Sequence, residues 1–185
     1  MKHWKKSING FLTSVMMLSV FISVAQTRPE EVKATIKQKP DDERFTPVVL
    51  SQDLDEPMVF EVAKNGKVYV AERKGGIKVY DPLTEKTSLV GTIQTMHGST
   101  NKETGQTREA DQGFVGMTLD PKFEVNHWAY LFYQHATEAK VVLVRREIVN
   151  DKLVPDKEKI LFEYPSVMGM AHTGGGMTWD SKGNL

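Results

Sequence analysis

The chain has 185 residues, 24 Lys and Arg against 24 Asp and Glu, and no cysteine. A balanced charge gives no electrostatic reason to expect nucleic acid as a partner. Without cysteine there is no disulfide framework and no thiolate zinc site, so stability must come from burial in a full-sized core.

The first 25 residues carry the marks of a targeting segment. Lys2, Lys5 and Lys6 give a positive start, and Phe11 to Val24 is an apolar stretch interrupted by Thr13, Ser14, Ser19 and Ser23. Ser23-Val24-Ala25 then offers small residues where a signal peptidase reads. That is the pattern of a secretory signal peptide. The stretch is 14 residues long, short of the ~20 that cross a bilayer as a helix. Export to the periplasm or cell exterior is therefore expected, without stable membrane insertion after cleavage. The remainder, 26–185, holds 21 basic and 24 acidic side chains.

Residues 26–52 are rich in charge and proline, with Pro29, Pro40 and Pro47, and read as a linker or N-terminal arm. Val48-Val49-Leu50 is a possible exception, a strand that could complete a blade built elsewhere. From 53 to 185 the chain is strand-like. Val68 to Ala71 follows Asn65-Gly66, a strong hairpin dipeptide. Ile77 to Tyr80 alternates apolar and polar residues after Gly75-Gly76. Thr87 to Gln94 is a plausible outer strand, and Met96 to Gln112 is a long polar loop of the kind that often carries function. Phe114 to Leu119, Trp128 to Tyr133, Val141 to Arg146 and a strand opening at Ile160 follow. No stretch holds a 3.6-residue period beyond two turns, so no helix is expected after residue 25.

These strands repeat. Phe60-Glu61-Val62, Met117-Thr118-Leu119 and Met177-Thr178-Trp179 each open a similar unit, followed by turns at 64–67, 120–123 and 180–183. A period of about 60 residues with strands inside it points to an all-β fold, a β-propeller with one four-stranded blade per repeat. Such a ring needs about four to eight blades to close. The chain is expected to be the N-terminal part of a longer protein, with the first two to three blades present, and residues 26–185 alone are expected to fold poorly.

The residues best suited to chemistry lie beside glycines. His172-Thr173-Gly174-Gly175-Gly176 precedes the third inner strand, where backbone or ligand can approach closely. An imidazole there can take a proton near neutral pH, or simply bond a loop carbonyl. Glu109 and Asp111 are two carboxylates close in sequence, usable as an acid/base or calcium pair, or as a solvated loop. His97, His127 and His135 lack metal-ligand spacing.

Two segments carry a family likeness. Asp111-Gln112-Gly113-Phe114-Val115-Gly116-Met117-Thr118-Leu119-Asp120-Pro121-Lys122-Phe123, with Asn126 and Tyr130, is one; His172-Thr173-Gly174-Gly175, with Asp180, Gly183 and Leu185, is the other. Both resemble the soluble pyrroloquinoline-quinone (PQQ)-dependent sugar dehydrogenases, the glucose/sorbosone dehydrogenase family. Ala71 to Val79 is similar to that family's first-blade Glu-Arg-x-Gly strand pair. The resemblance implies a six-bladed propeller that binds PQQ on one face and oxidises a sugar or polyol hydroxyl by hydride transfer. It implies His172 as general base and cofactor contact. It also implies a cofactor contact at Asp111 or Gln112, between which spacing does not choose. An imidazole with the ordinary pKa of about 6.5 is largely unprotonated at neutral pH, as such a base must be. Calcium, whose ligands would lie beyond Leu185, and an electron acceptor such as a cytochrome or quinone complete the implied partners. Propellers host many functions. A non-catalytic binding or scaffold module is the alternative, and a calcium-dependent lactonase-like propeller a third reading.

Overall fold

The computed structural model describes residues 44–100, 103–167 and 172–185. The expected signal peptide, 1–25, and most of the expected arm, up to residue 43, lie outside them. Residues 47–185 form one compact unit.

Four strands open it: β1 Pro57–Val62, β2 Val68–Glu72, β3 Gly76–Asp81 and β4 Lys86–Thr92. They pair antiparallel in the order β1-β2-β3-β4. The first hairpin forms where Asn65-Gly66 predicts it. Gly66 sits at φ 83°, its N–H donates to the Ala63 carbonyl at 2.8 Å, and the Asn65 side chain accepts the Lys67 N–H at 3.1 Å. A short amide that mimics a backbone acceptor is why Asn favours such turns.

A small hairpin follows, β5 Gly98–Thr100 with β6 Thr107–Glu109, inside the stretch that the sequence leaves as a loop. Three-residue strands of polar side chains carry no alternation to read. The second sheet then runs through β7 Phe114–Leu119, β8 Trp128–Gln134 and β9 Lys140–Val149. β9 is long enough to hold two partners. β10 Lys152–Leu153 pairs with its C-terminal end, and β11 Lys159–Pro165 pairs along Lys140 to Arg145. Between β7 and β8 lies one helical turn, α1 Phe123–Asn126, which corrects the expectation of no helix. Four residues are too few to show a helical period. The turn ends at His127 in the left-handed region (φ 59°), whose N–H bonds the Phe123 carbonyl at 2.8 Å.

The two sheets pack face to face, and strand alternation decides which side chains meet. Ile77 and Val79 of β3 turn inward with Tyr69, Ala71 and Val90. Opposite them stand Phe114, Met117, Leu119, Ala129, Leu131, Val142 and Val144. Each such side chain taken fully out of water contributes roughly 1.5–3 kcal/mol. Phe123 meets Tyr69 edge-on at 5.4 Å, so α1 is pinned to the first sheet. At the rim, the Tyr69 hydroxyl donates to Asp151 at 2.7 Å, and Lys67 bridges Asp151 and Asp81.

The third repeat runs beside β7 without forming a ladder. The Trp179 indole N–H reaches the Leu119 carbonyl at 2.9 Å and the Thr118 hydroxyl at 3.2 Å, and its ring lies edge-on to Tyr130. Thr118 also bonds the Glu61 side chain, whose pKa burial raises and this bond partly restores. A polar chain therefore joins all three inner segments. Gly175 (φ 133°) makes the approach possible, because a Cβ there would stand 2.6 Å from the Val115 carbonyl.

On the other face of the first sheet, the arm crosses β4, β3 and β2. Ser51 bonds Thr87 at 2.8 Å, Lys78 bonds the Asp53 carbonyl, and the Asp55 N–H bonds Glu72 at 2.7 Å. Val48-Val49-Leu50 is not in a strand and is exposed.

Two outcomes follow. Leu131→Ala, at a fully buried position of the central β8, should destabilise the protein by about 2–5 kcal/mol in urea unfolding. Burial raises the Asp151 pKa, but the bonds from Lys67 and Tyr69 outweigh it and leave it below the ordinary value. A lowered carboxyl pKa stabilises the fold above the unfolded-state value of about 4 and loses that contribution as pH falls through the native value. Asp151→Asn should therefore flatten the drop in melting temperature below about pH 4.

Candidate functional site

The loop that leaves β6 and enters β7 meets the loop that enters the third repeat. Asp111, Val115, His172, Thr173, Gly174 and Met58 line a single open hollow of about 520 Å³. Two of the three residues that the sequence nominates, Asp111 and His172, thus face one space, both exposed or partly so. They stand 61 positions apart and come together because β7 and the third repeat run side by side.

The third, Gln112, is placed differently. It is buried, at 1% exposure, and does not line the hollow. Its amide N–H donates to the Val167 carbonyl at 2.8 Å and to the Gln134 side chain at 3.3 Å. Gln134, at 0% exposure, in turn bonds the Glu138 and Lys140 carbonyls. Fully desolvated amides cost free energy unless bonded, and these are bonded.

His172 has φ 69°, a left-handed backbone unusual for a side-chain-bearing residue. Such conformations cost about 1–3 kcal/mol and cluster where function needs them. Next to it, the Thr173 carbonyl accepts the Tyr164 hydroxyl at 2.8 Å.

Arg73 is the part that sequence reasoning missed. At the end of β2 and 8% exposed, its guanidinium gathers the loop. Nε donates to Glu56 at 2.6 Å, Nη2 to Glu109 at 2.7 Å, and Nη1 to the carbonyls of His97, Ala110 and Gln112. Burial pulls its pKa down, but the two carboxylates outweigh burial and hold it above the ordinary value. In return Arg73 lowers the Glu109 pKa. Glu109 is therefore committed to this ion pair and does not line the hollow with Asp111. The signal that could have found Arg73 is a charged pair, Glu72-Arg73, closing a half-buried strand just before Gly75-Gly76.

Chemically, the hollow offers a carboxylate and an imidazole as hydrogen-bond acceptors, a hydroxyl, and the apolar sides of Met58 and Val115. Among the described residues no group of three or more His, Asp or Glu is placed to hold a metal ion. No helix among them is long and apolar enough to cross a membrane.

The family model for glucose/sorbosone dehydrogenase matches residues 54–185. An uncharacterized protein of Synechocystis sp. is 23% identical over 162 residues, covering 85% of this chain and 35% of that protein. Among solved structures, a glucose dehydrogenase aligns with a TM-score of 0.55 at 19% identity, over 72% of this chain and 37% of its own. A structure described as a putative oxidoreductase (glucose dehydrogenase) from Thermus thermophilus aligns at 0.50 and 16% identity, over 72% and 33%. The chain thus spans about a third of the length of these relatives. The likeness to the solved structures shows the fold: the two sheets are blades of a β-propeller. The family match spans both sheets and both loops of the hollow, and on that ground the chain belongs to the glucose/sorbosone dehydrogenase family.

Proposed function

We propose that the protein carrying this chain is an exported, PQQ-dependent oxidoreductase that oxidises a hydroxyl of a sugar or polyol. The observation that supports this most is that Asp111 and His172 line one hollow in a chain of this family. The lining residues suit the reactive end of a flat quinone. Met58 and Val115 offer apolar contact for a ring, and the imidazole offers an acceptor beside it. The carboxylates of the quinone need cationic partners, which the lining residues do not supply. Those partners, and calcium ligands, would have to come from outside these lining residues.

When bound, the quinone supplies the two-electron, hydride-accepting centre. His172 would accept the hydroxyl proton of the substrate carbon that gives up its hydride. Asp111 would accept hydrogen bonds from hydroxyls at the rim and keep the ligand oriented. Gln112 would steady the neighbouring Asp111 through its bonds to Val167 and Gln134. Positioning of this kind is a large part of what a site contributes to rate. The electron acceptor that reoxidises the quinone would be a cytochrome or a second quinone.

Four measurements test this reading. Full-length protein reconstituted with PQQ and calcium should reduce a dye when given aldoses, sorbosone or polyols. Binding of such sugars without any dye reduction would favour a non-catalytic module instead. His172→Ala should lower turnover by roughly 10²–10⁴, the usual worth of a positioned base, and chelation with EDTA should abolish dye reduction until calcium is returned. Export predicts that the secreted protein begins at Gln26, read by N-terminal sequencing; a protein retained with Met1 in place would refute it.

A further inference from the structure

We infer that Arg73 is a positioning residue that sets Asp111 opposite His172. The inference rests on the dehydrogenase reading for its purpose, but its geometry stands by itself.

The loop from 109 to 114 is wrapped around one residue, Arg73. Glu109 is held through its carboxylate, Ala110 and Gln112 through their carbonyls, and Phe114 through its N–H, which donates to the Arg73 carbonyl at 2.8 Å. Gly113 lets the chain pass. It sits at φ 144°, and a Cβ there would collide with the Arg73 backbone. Asp111 is the residue this clamp leaves out. The carbonyls of both its neighbours approach Nη1, that of Gln112 at 3.5 Å, and Asp111 itself lines the hollow. The placement of Asp111 thus follows from where the guanidinium sits.

The guanidinium in turn is fixed by rigid parts. Its strand passes through Ala71, at 0% exposure in the core, and Glu56 holds its Nε from the arm side. Five N–H groups in a planar fork serve the two carboxylates and the His97 and Ala110 carbonyls, with the Gln112 carbonyl a longer contact of the same Nη1 at 3.5 Å. Lysine, with a single nitrogen, cannot span them. A site placed by a strand end is also held more closely than one placed by its own loop.

The test uses full-length protein and two readouts. The first is hydrogen exchange. Arg73→Gln should raise exchange in peptides covering 107–113 at least about tenfold, the scale of a lost charge-assisted bond, while peptides from β8 and β9 keep their protection. A merely structural role would loosen the sheets as well. The second is PQQ affinity, followed by the cofactor's absorbance. Arg73→Gln and Asp111→Ala should each weaken binding about tenfold, and the double variant should be no worse than Asp111→Ala, because residues acting through one another are not additive. Should Arg73→Gln not fold, Arg73→Lys keeps the charge without the fork and should show the same effects at smaller size. Unchanged exchange at 107–113, or a double variant whose loss is the product of the two singles, overturns the inference. Failure of the wild-type protein to bind PQQ overturns the dehydrogenase reading instead, and the exchange comparison then decides alone whether Arg73 holds the loop.

Discussion

The burial of β7 governs the rest of this structure. Its buried side chains, Phe114, Met117 and Leu119, belong to the core shared with the first sheet. Along its length it also receives Trp179 and Gly175 of the third repeat. A strand covered from both directions has its register fixed, because a slip of one residue would exchange core and polar positions. Everything at its N-terminal end inherits that register, including Asp111 and the buried Gln112. The third repeat, tied to the same strand, brings His172 to the same end.

The sheets were legible because their turns are written in residues with a mechanical role. Asn65-Gly66 and Gly75-Gly76 mark reversals, and alternation in β3 shows which residues go inward. Elements without such signals were not legible. β5 and β6 are polar and three residues long, β10 has two residues, and α1 is a single turn set by context rather than by propensity. Each exists because a neighbour supplies partners, as β9 does for β10.

The site divided in the same way. His172 and Asp111 stood out because a histidine among glycines, and an acid before a Gly-rich strand, are local patterns. Their meeting in one hollow is not local. The role of Arg73 was hidden more deeply, since its partners Glu109 and Gln112 lie 36 and 39 residues away. Glu109 looked like half of a carboxylate pair with Asp111 until that distant guanidinium claimed it. Gln112, nominated beside Asp111, proved to be buried, its amide bonded to Val167 and Gln134.

Tyr164 gives the imidazole a particular kind of freedom. Its hydroxyl holds the Thr173 carbonyl, and the ring stands on β11, part of a five-stranded sheet. The anchored peptide is one residue from His172, and a chain advances no more than about 3.6 Å per residue. The backbone there has little slack on its C-terminal side. Reorientation of the ring is accordingly a matter of side-chain torsion, a change of picoseconds to nanoseconds when exposed, rather than of loop travel. The hollow is thus lined by an imidazole that can turn while its backbone stays tethered.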